Sequence, residues 1–285
     1  MKATYALPLP NASSWNPDNI RVELKMFAEL NHILNASPEQ LEQGKFTLVL
    51  DTKTDGSFLV HHFLSFYLKA GCKVCFLALA QSFSHYNIVA QKLGVNLTTA
   101  KDRGQLVFLE GLKSCCDVLF GEEHASRESL LQFLSKNGSD LKHLYKCVRT
   151  SLTPSKCPVL LIDDLGLLLS LGVKALHVVD FVHYCKATVC SQLKGNLVAL
   201  AHCNDDFEDE GNELVGNFLR LQSSLVLHAS GLATGFCKDV HGQLNITWKG
   251  PCHLKGEKNQ SKIYQYKIQD KNVSFFARGL SSAVL

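Results

Sequence analysis

Six short runs rich in β-branched and apolar residues, at 46–51, 73–80, 105–110, 159–163, 196–202 and 223–229, are separated by segments with room for a helix. A strand that is apolar at almost every position has two faces to bury, and a parallel sheet covered by helices on both sides buries both. The interval between the first two runs shows the pattern. Across 58–70, Leu59, Phe63 and Phe66 share one helical face and His62, Ser65 and Lys69 another, with Gly71 placed to end the helix. This is a β-α-β unit. The later intervals 83–93, 127–149 and 175–194 each predict a crossover helix, and 26–34 predicts a helix ahead of the first strand, with Phe27, Leu30 and Leu34 on one side. The end of the chain changes character. Runs at 242–248, 263–268 and 273–276 alternate apolar with polar residues and have no helix-period segment between them, which predicts antiparallel strands added at one edge. The fold class is α/β: a mostly parallel sheet flanked by helices, with antiparallel strands at the C-terminal end.

At 285 residues and 46% apolar content the chain buries a core without covalent staples, so its eleven cysteines need no disulfide framework. Cys72 and Cys75 have CxxC spacing, but in an extended segment residues i and i+3 point to opposite faces, and no second pair follows at zinc-finger distance. They read as buried reduced thiols, which places the chain in the cytoplasm or nucleus. A formal net charge of +3, from 29 basic and 26 acidic residues, excludes nucleic-acid or membrane binding by bulk charge and leaves only local contacts. No run reaches the ~18 apolar residues of a membrane span, because Asp163 and Asp164 break the richest stretch. Residues 1–25, with Pro8, Pro10 and Pro17, read as a flexible extension, and 26–285 as a single domain.

In an open α/β sheet ligands bind at the carboxyl ends of strands, so the first strand-to-helix turn is the first place to look for chemistry. It reads Asp51-Thr-Lys-Thr-Asp-Gly-Ser-Phe58, with the length and position of a phosphate-binding P-loop aligned on Gly56. Three residues depart from that motif. Asp51 stands in the place of the turn glycine, Ser57 in that of the phosphate-neutralising lysine, and Phe58 in that of the magnesium-binding hydroxyl. Asp51 and Asp55 would also face a bound polyphosphate, and like charges ~4 Å apart repel by about 4 kcal/mol at an effective dielectric of 20. Lys53 offsets part of this from the wrong position. A second remnant, Val159-Leu-Leu-Ile-Asp-Asp164, has the form of a Walker B strand, whose terminal acid serves a metal ion or its water. Asp163 and Asp164 equally suit a strand end and an N-cap for 165–171.

No functional P-loop, catalytic residue, cofactor or metal is therefore expected. The alternative is an active nucleoside triphosphatase with a divergent P-loop, worked by Lys53, Asp163 and Asp164. His61 and His62 are adjacent on a helix, diverge by about 100° and do not converge on one ligand. His85, His183 and His202 read as residues at the core edge or at interfaces. The acidic loop 205–210 and the lysine-rich stretch 249–262 read as solvated loops. The second has another reading, as an RNA contact in which Lys255, Lys258 and Lys262 supply charge while Tyr264 and Tyr266 stack on bases.

Several longer runs carry a family resemblance: Met26-Phe-Ala-Glu-Leu-Asn31, residues 51–63, Ala80-Gln-Ser-Phe-Ser-His-Tyr86, residues 105–113, Gly231-Leu-Ala-Thr-Gly-Phe-Cys237, Val240-His-Gly-Gln-Leu244 and Tyr264-Gln-Tyr-Lys-Ile-Gln-Asp270. Through them the chain resembles the sixth subunits of the Elongator complex over residues 26–285. The resemblance implies a RecA-like domain without Walker motifs, assembled with the related fourth and fifth subunits into a hexameric ring of two copies each. It further implies that the ring docks on the catalytic Elongator subcomplex, binds tRNA and hydrolyses ATP to regulate tRNA release. The machine forms 5-carboxymethyl-derived modifications of wobble uridine, with the chemistry residing in the catalytic subunit. On this reading the chain is a structural subunit and not an enzyme, and 1–25 precedes the usual family start at Met26.

Overall fold

Every residue of the first strand, β1 (Phe46–Thr52), is buried, as an uninterrupted apolar run requires. Its side chains divide by parity: Val49 enters one core, while Phe46, Leu48 and Leu50 enter a second core on the opposite face. The computed structural model describes residues 28–119, 141–153, 155, 158–203, 210–235, 237–250, 259–269 and 272–277. The 1–25 extension lies outside them.

The strands that follow are β2 (Lys73–Ala78), β3 (Leu106–Glu110), β4 (Pro158–Ile162), β5 (Asn196–His202), β6 (Leu225–Ser230), β7 (Gly242–Trp248), β8 (Gln260–Ile268) and β9 (Val273–Ala277). The α-helices are α1 (Ala28–Leu34), α2 (Ser57–Lys69), α3 (Phe83–Lys92), α4 (Leu97–Asp102), α5 (Gly111–Leu119), α6 (Lys142–Leu152), α7 (Gly166–Ser170), α8 (Ala175–Lys186) and α9 (Glu210–Gln222). The nine strands of the described residues join one sheet in the order β3-β2-β4-β5-β1-β6-β7-β8-β9. The pairs from β3 to β6 are parallel and those from β6 to β9 antiparallel, so the expected mostly parallel sheet with an antiparallel C-terminal edge is present.

Helices cover both faces of the parallel part. Leu30 of α1, Leu59, Phe63 and Phe66 of α2, and Tyr86 and Ala90 of α3 fill one core. Leu144 and Val148 of α6, Val178 and Phe181 of α8, and Val215 and Leu219 of α9 fill the other. Cys72 lies in the first core and Cys75 in the second, and both are free thiols. Burial pushes the Cys75 thiol up to about 12 and the Cys190 thiol to about 11, so both stay protonated.

Several elements differ from expectation, among them α5 and α9, where the sequence predicts no helix. The 175–194 helix is α-helical only to Lys186 and continues as a π-helix over Ala187–Gln192. Helix α4, whose start is capped by Asn96 accepting the Thr99 amide at 2.9 Å, is too short for its periodicity to show in sequence. Of the 127–149 helix, residues 127–140 lie outside the described residues, and α6 occupies the rest and runs three residues further. Among the described residues no helix is long and apolar enough to cross a membrane.

Candidate functional site

Strands β4, β5 and β1 lie side by side, and each delivers a titratable residue at or just beyond its carboxyl end. Asp51 and His202 are paired across the β1–β5 ladder. His202 Nδ1 lies 2.5 Å from Asp51 Oδ1, and its Nε2 lies 3.1 Å from Asp164 Oδ2. Both ring nitrogens donate only in the imidazolium form. The hydrogen bond to Asp164, then that to Asp51, raises the His202 pKa to about 10 against the opposing effect of burial. The result is a carboxylate–imidazolium–carboxylate bridge across three strand ends, with the His202 side chain 40% exposed.

The second oxygen of Asp51 turns back into its own loop, where Oδ2 accepts the Gly56 amide at 2.8 Å. Asp55 Oδ1 accepts the Ser57 amide, also at 2.8 Å. These are amides at the start of α2, the kind of group a P-loop aims at phosphate. Gly56 lets the loop fold over the acid, since a Cβ there would come within 3.1 Å of the Asp51 Cβ. Lys53 sits at the turn with φ 55. Gly231 packs on its backbone so closely that a Cβ would stand 2.6 Å from the Lys53 carbonyl oxygen.

Of the Walker B-like pair, Asp164 faces this bridge and its Oδ1 also accepts the Gly166 amide at the start of α7, at 2.7 Å. Asp163 turns the other way. Its Oδ1 accepts the Leu79 amide at 2.7 Å, and its Oδ2 accepts the Ala80 amide at 3.0 Å and the Tyr86 hydroxyl at 2.7 Å. This carboxylate explains why β2 stops at Ala78 rather than at residue 80: the next two amides leave the ladder for Asp163. Burial raises the Asp163 pKa to about 6 even though all three donors act to lower it. His61 and His62 are buried on α2, where desolvation lowers their pKa values to about 4 and about 3 and keeps both rings neutral. Among the described residues no group of three or more His, Cys, Asp or Glu side chains is placed to hold a metal ion.

The C-terminal candidates separate. Tyr266 is 0% exposed, with its ring centroid 5.0 Å from that of Phe58 and its hydroxyl 3.0 Å from Thr54 Oγ1. Its expected role in base stacking is overturned, because strand alternation points it into the core, where it ties β8 to the 51–58 loop. Tyr264 packs half-buried on the same core. Lys262 is exposed, its Nζ 5.7 Å from the Trp248 ring centroid. Lys255 and Lys258 lie outside the described residues. Tyr266→Phe keeps the ring packing and loses only the Thr54 contact, so a loss of about 1 kcal/mol is expected in urea denaturation.

Sequence reading placed His202 at the core edge or at an interface and missed the bridge. A signal was present: the apolar runs 46–51 and 196–202 end in Asp51 and His202, and Asp164 stands one residue past the run 159–163. Which ends meet depends on strand order.

A mostly parallel sheet, helix-covered on both faces and extended at one edge by antiparallel strands, defines an α/β protein. Residues 27–270 match the family described as Elongation complex protein 6. The chain is 61% identical over 265 residues to Elongator complex protein 6 of Xenopus laevis, 60% over 268 residues to that of Homo sapiens and 50% over 269 residues to that of Danio rerio. Each alignment spans 91% of this chain and 100% of the relative. Among solved structures, a KaiC-like protein from the hyperthermophilic archaeon Pyrococcus horikoshii is similar at 11% identity with a TM-score of 0.46, over 82% of this chain and 90% of that one. The chain belongs to the Elongator complex protein 6 family.

Proposed function

We propose that the chain is a non-catalytic subunit of the Elongator accessory ring, assembled with the fourth and fifth subunits and docked on the catalytic subcomplex. In this role it supports tRNA binding by the ring, and hence formation of 5-carboxymethyl-derived wobble uridines, in the cytoplasm and nucleus. The observation that carries the non-catalytic reading is the filling of the strand ends by the chain's own groups. Asp51 and Asp55 take amides at the start of α2, and His202 supplies the cation between Asp51 and Asp164. A polyphosphate entering here would compete with carboxylates for those amides and meet them at repulsive range.

Co-expression with the fourth and fifth subunits is expected to give a native mass of two copies of each. A stable monomer that ignores both would overturn the proposal. Magnesium ATP is expected to give no binding heat with the isolated chain. Saturable binding or turnover that Lys53→Ala and Asp164→Asn abolish would replace this reading with that of a nucleoside triphosphatase using a divergent loop.

A further inference from the structure

At the opposite end of the sheet from the 51–58 loop, α1 and the close of β7 border a groove. Its outer part, about 580 Å³, is lined by Ile33, Leu34, Asn35, Trp248, Lys249 and Lys262, among others. An inner recess of about 200 Å³ shares Leu34, Asn35, Trp248 and Lys249 and continues to Lys45, Phe63 and Tyr67. Three lysines thus line the groove against one carboxylate, Glu42, which is 3.4 Å from Lys45. Lys249 Nζ donates to the Arg220 carbonyl, and desolvation lowers its pKa. Lys262 is exposed, lies over the indole of Trp248 and has no carboxylate partner among the described residues.

This chemistry selects a ligand that is flat and apolar on its faces and anionic at its edge. A ring with an ammonium over it binds such a group by stacking, while the ammonium moves aside to an adjacent phosphate. A base within a duplex has both faces already stacked and offers neither to Trp248. We propose that this groove binds a nucleotide unit of a single-stranded RNA, its base stacked on Trp248 and its phosphate held by Lys262 and Lys45. The choice of RNA rests on the function proposed above. The groove lies far along the sheet from Tyr266, so the aromatic contact shifts from the tyrosines of β8 to the last residue of β7, and Lys262 is the lysine common to both assignments.

The chain holds two tryptophans, Trp15 and Trp248, so Trp15→Phe leaves Trp248 as the only indole reporter in the full-length protein. An unlabelled, unstructured RNA oligonucleotide of about ten nucleotides, within the usual site size of single-strand binders, is expected to quench its emission saturably. A duplex of the same composition is not. Lys262→Glu, a change at an exposed side chain whose ammonium lies over Trp248, is expected to weaken binding by about tenfold and to flatten its salt dependence. Trp248→Leu, followed by anisotropy of a labelled oligonucleotide, is expected to weaken binding similarly. RNA binding without quenching, or variants that bind as tightly as the parent, would overturn the proposal. So would heparin that quenches equally and depends equally on Lys262, since that marks a general polyanion patch. Loss of co-assembly with the fourth and fifth subunits in Lys262→Glu would mark a protein interface and also overturn it. Absence of RNA binding in a chain that still forms the ring sinks this inference alone and leaves the proposed function standing.

Discussion

Asp163→Ala is expected to destabilise the protein by about 3–5 kcal/mol, a large share of the roughly 5–15 kcal/mol that holds a typical domain folded. The substitution leaves the amides of Leu79 and Ala80 and the hydroxyl of Tyr86 without their acceptor. Each unmet buried donor costs about 1–3 kcal/mol. Asp163→Asn keeps the shape but offers one acceptor oxygen where three donors converge, and its amide group opposes an N–H, so a loss of about 2 kcal/mol is expected. The two variants also differ from the parent in pH response. Asp163 has its folded pKa raised to about 6, so the folded state binds the proton more tightly than the unfolded state does. The parent therefore gains stability from this group as pH falls from 6 towards 4, and Asp163→Asn lacks that gain. Urea titrations at pH 4.5 and 7 measure both effects. An Asp163→Ala midpoint equal to that of the parent would show that the carboxylate does not hold β2 to α3.

His202→Gln is the second large effect. It removes the cation that bridges Asp51 and Asp164, whose oxygens lie 2.5 and 3.1 Å from the imidazole nitrogens. Hydrogen bonds to charged groups contribute about 1.5–3 kcal/mol each when buried, but this ring is 40% exposed, so about 2 kcal/mol for the pair is the discounted expectation. The folded pKa of His202 is raised to about 10. Its contribution is complete below the unfolded value near 6.5 and fades as pH climbs towards 10. The parent should lose thermal stability progressively from pH 7 to 10. The His202→Gln protein should lose less over the same range, so the gap between the two closes with rising pH. Parallel melting curves for parent and variant would remove the imidazolium bridge.

The sheet was legible in sequence because burial on both faces leaves a mark at every position. Runs 46–51, 159–163 and 196–202 became β1, β4 and β5 within a residue at each end. The departures of the 51–58 loop from a P-loop were legible for another reason, since Asp51, Ser57 and Phe58 are read one at a time. The length of β2 was not, because an acid 83 or 84 residues away along the chain ends that strand. Tyr264 and Tyr266 look like exposed aromatics in a lysine-rich stretch, yet alternation alone leaves open which face of β8 meets the core.

By itself the sequence determined the α/β class, the parallel sheet with its antiparallel edge, and the absence of the lysine and hydroxyl that a P-loop uses. These are properties of consecutive residues, whose spacing sets a face and whose side chains set a chemistry. The tertiary structure alone decided what occupies the strand ends. Asp51 and His202 are 151 residues apart and meet only because the strand order sets β5 between β4 and β1. The imidazolium can then reach an acid on either side. No local period encodes that order, because it follows from how the helices cover two faces of one sheet.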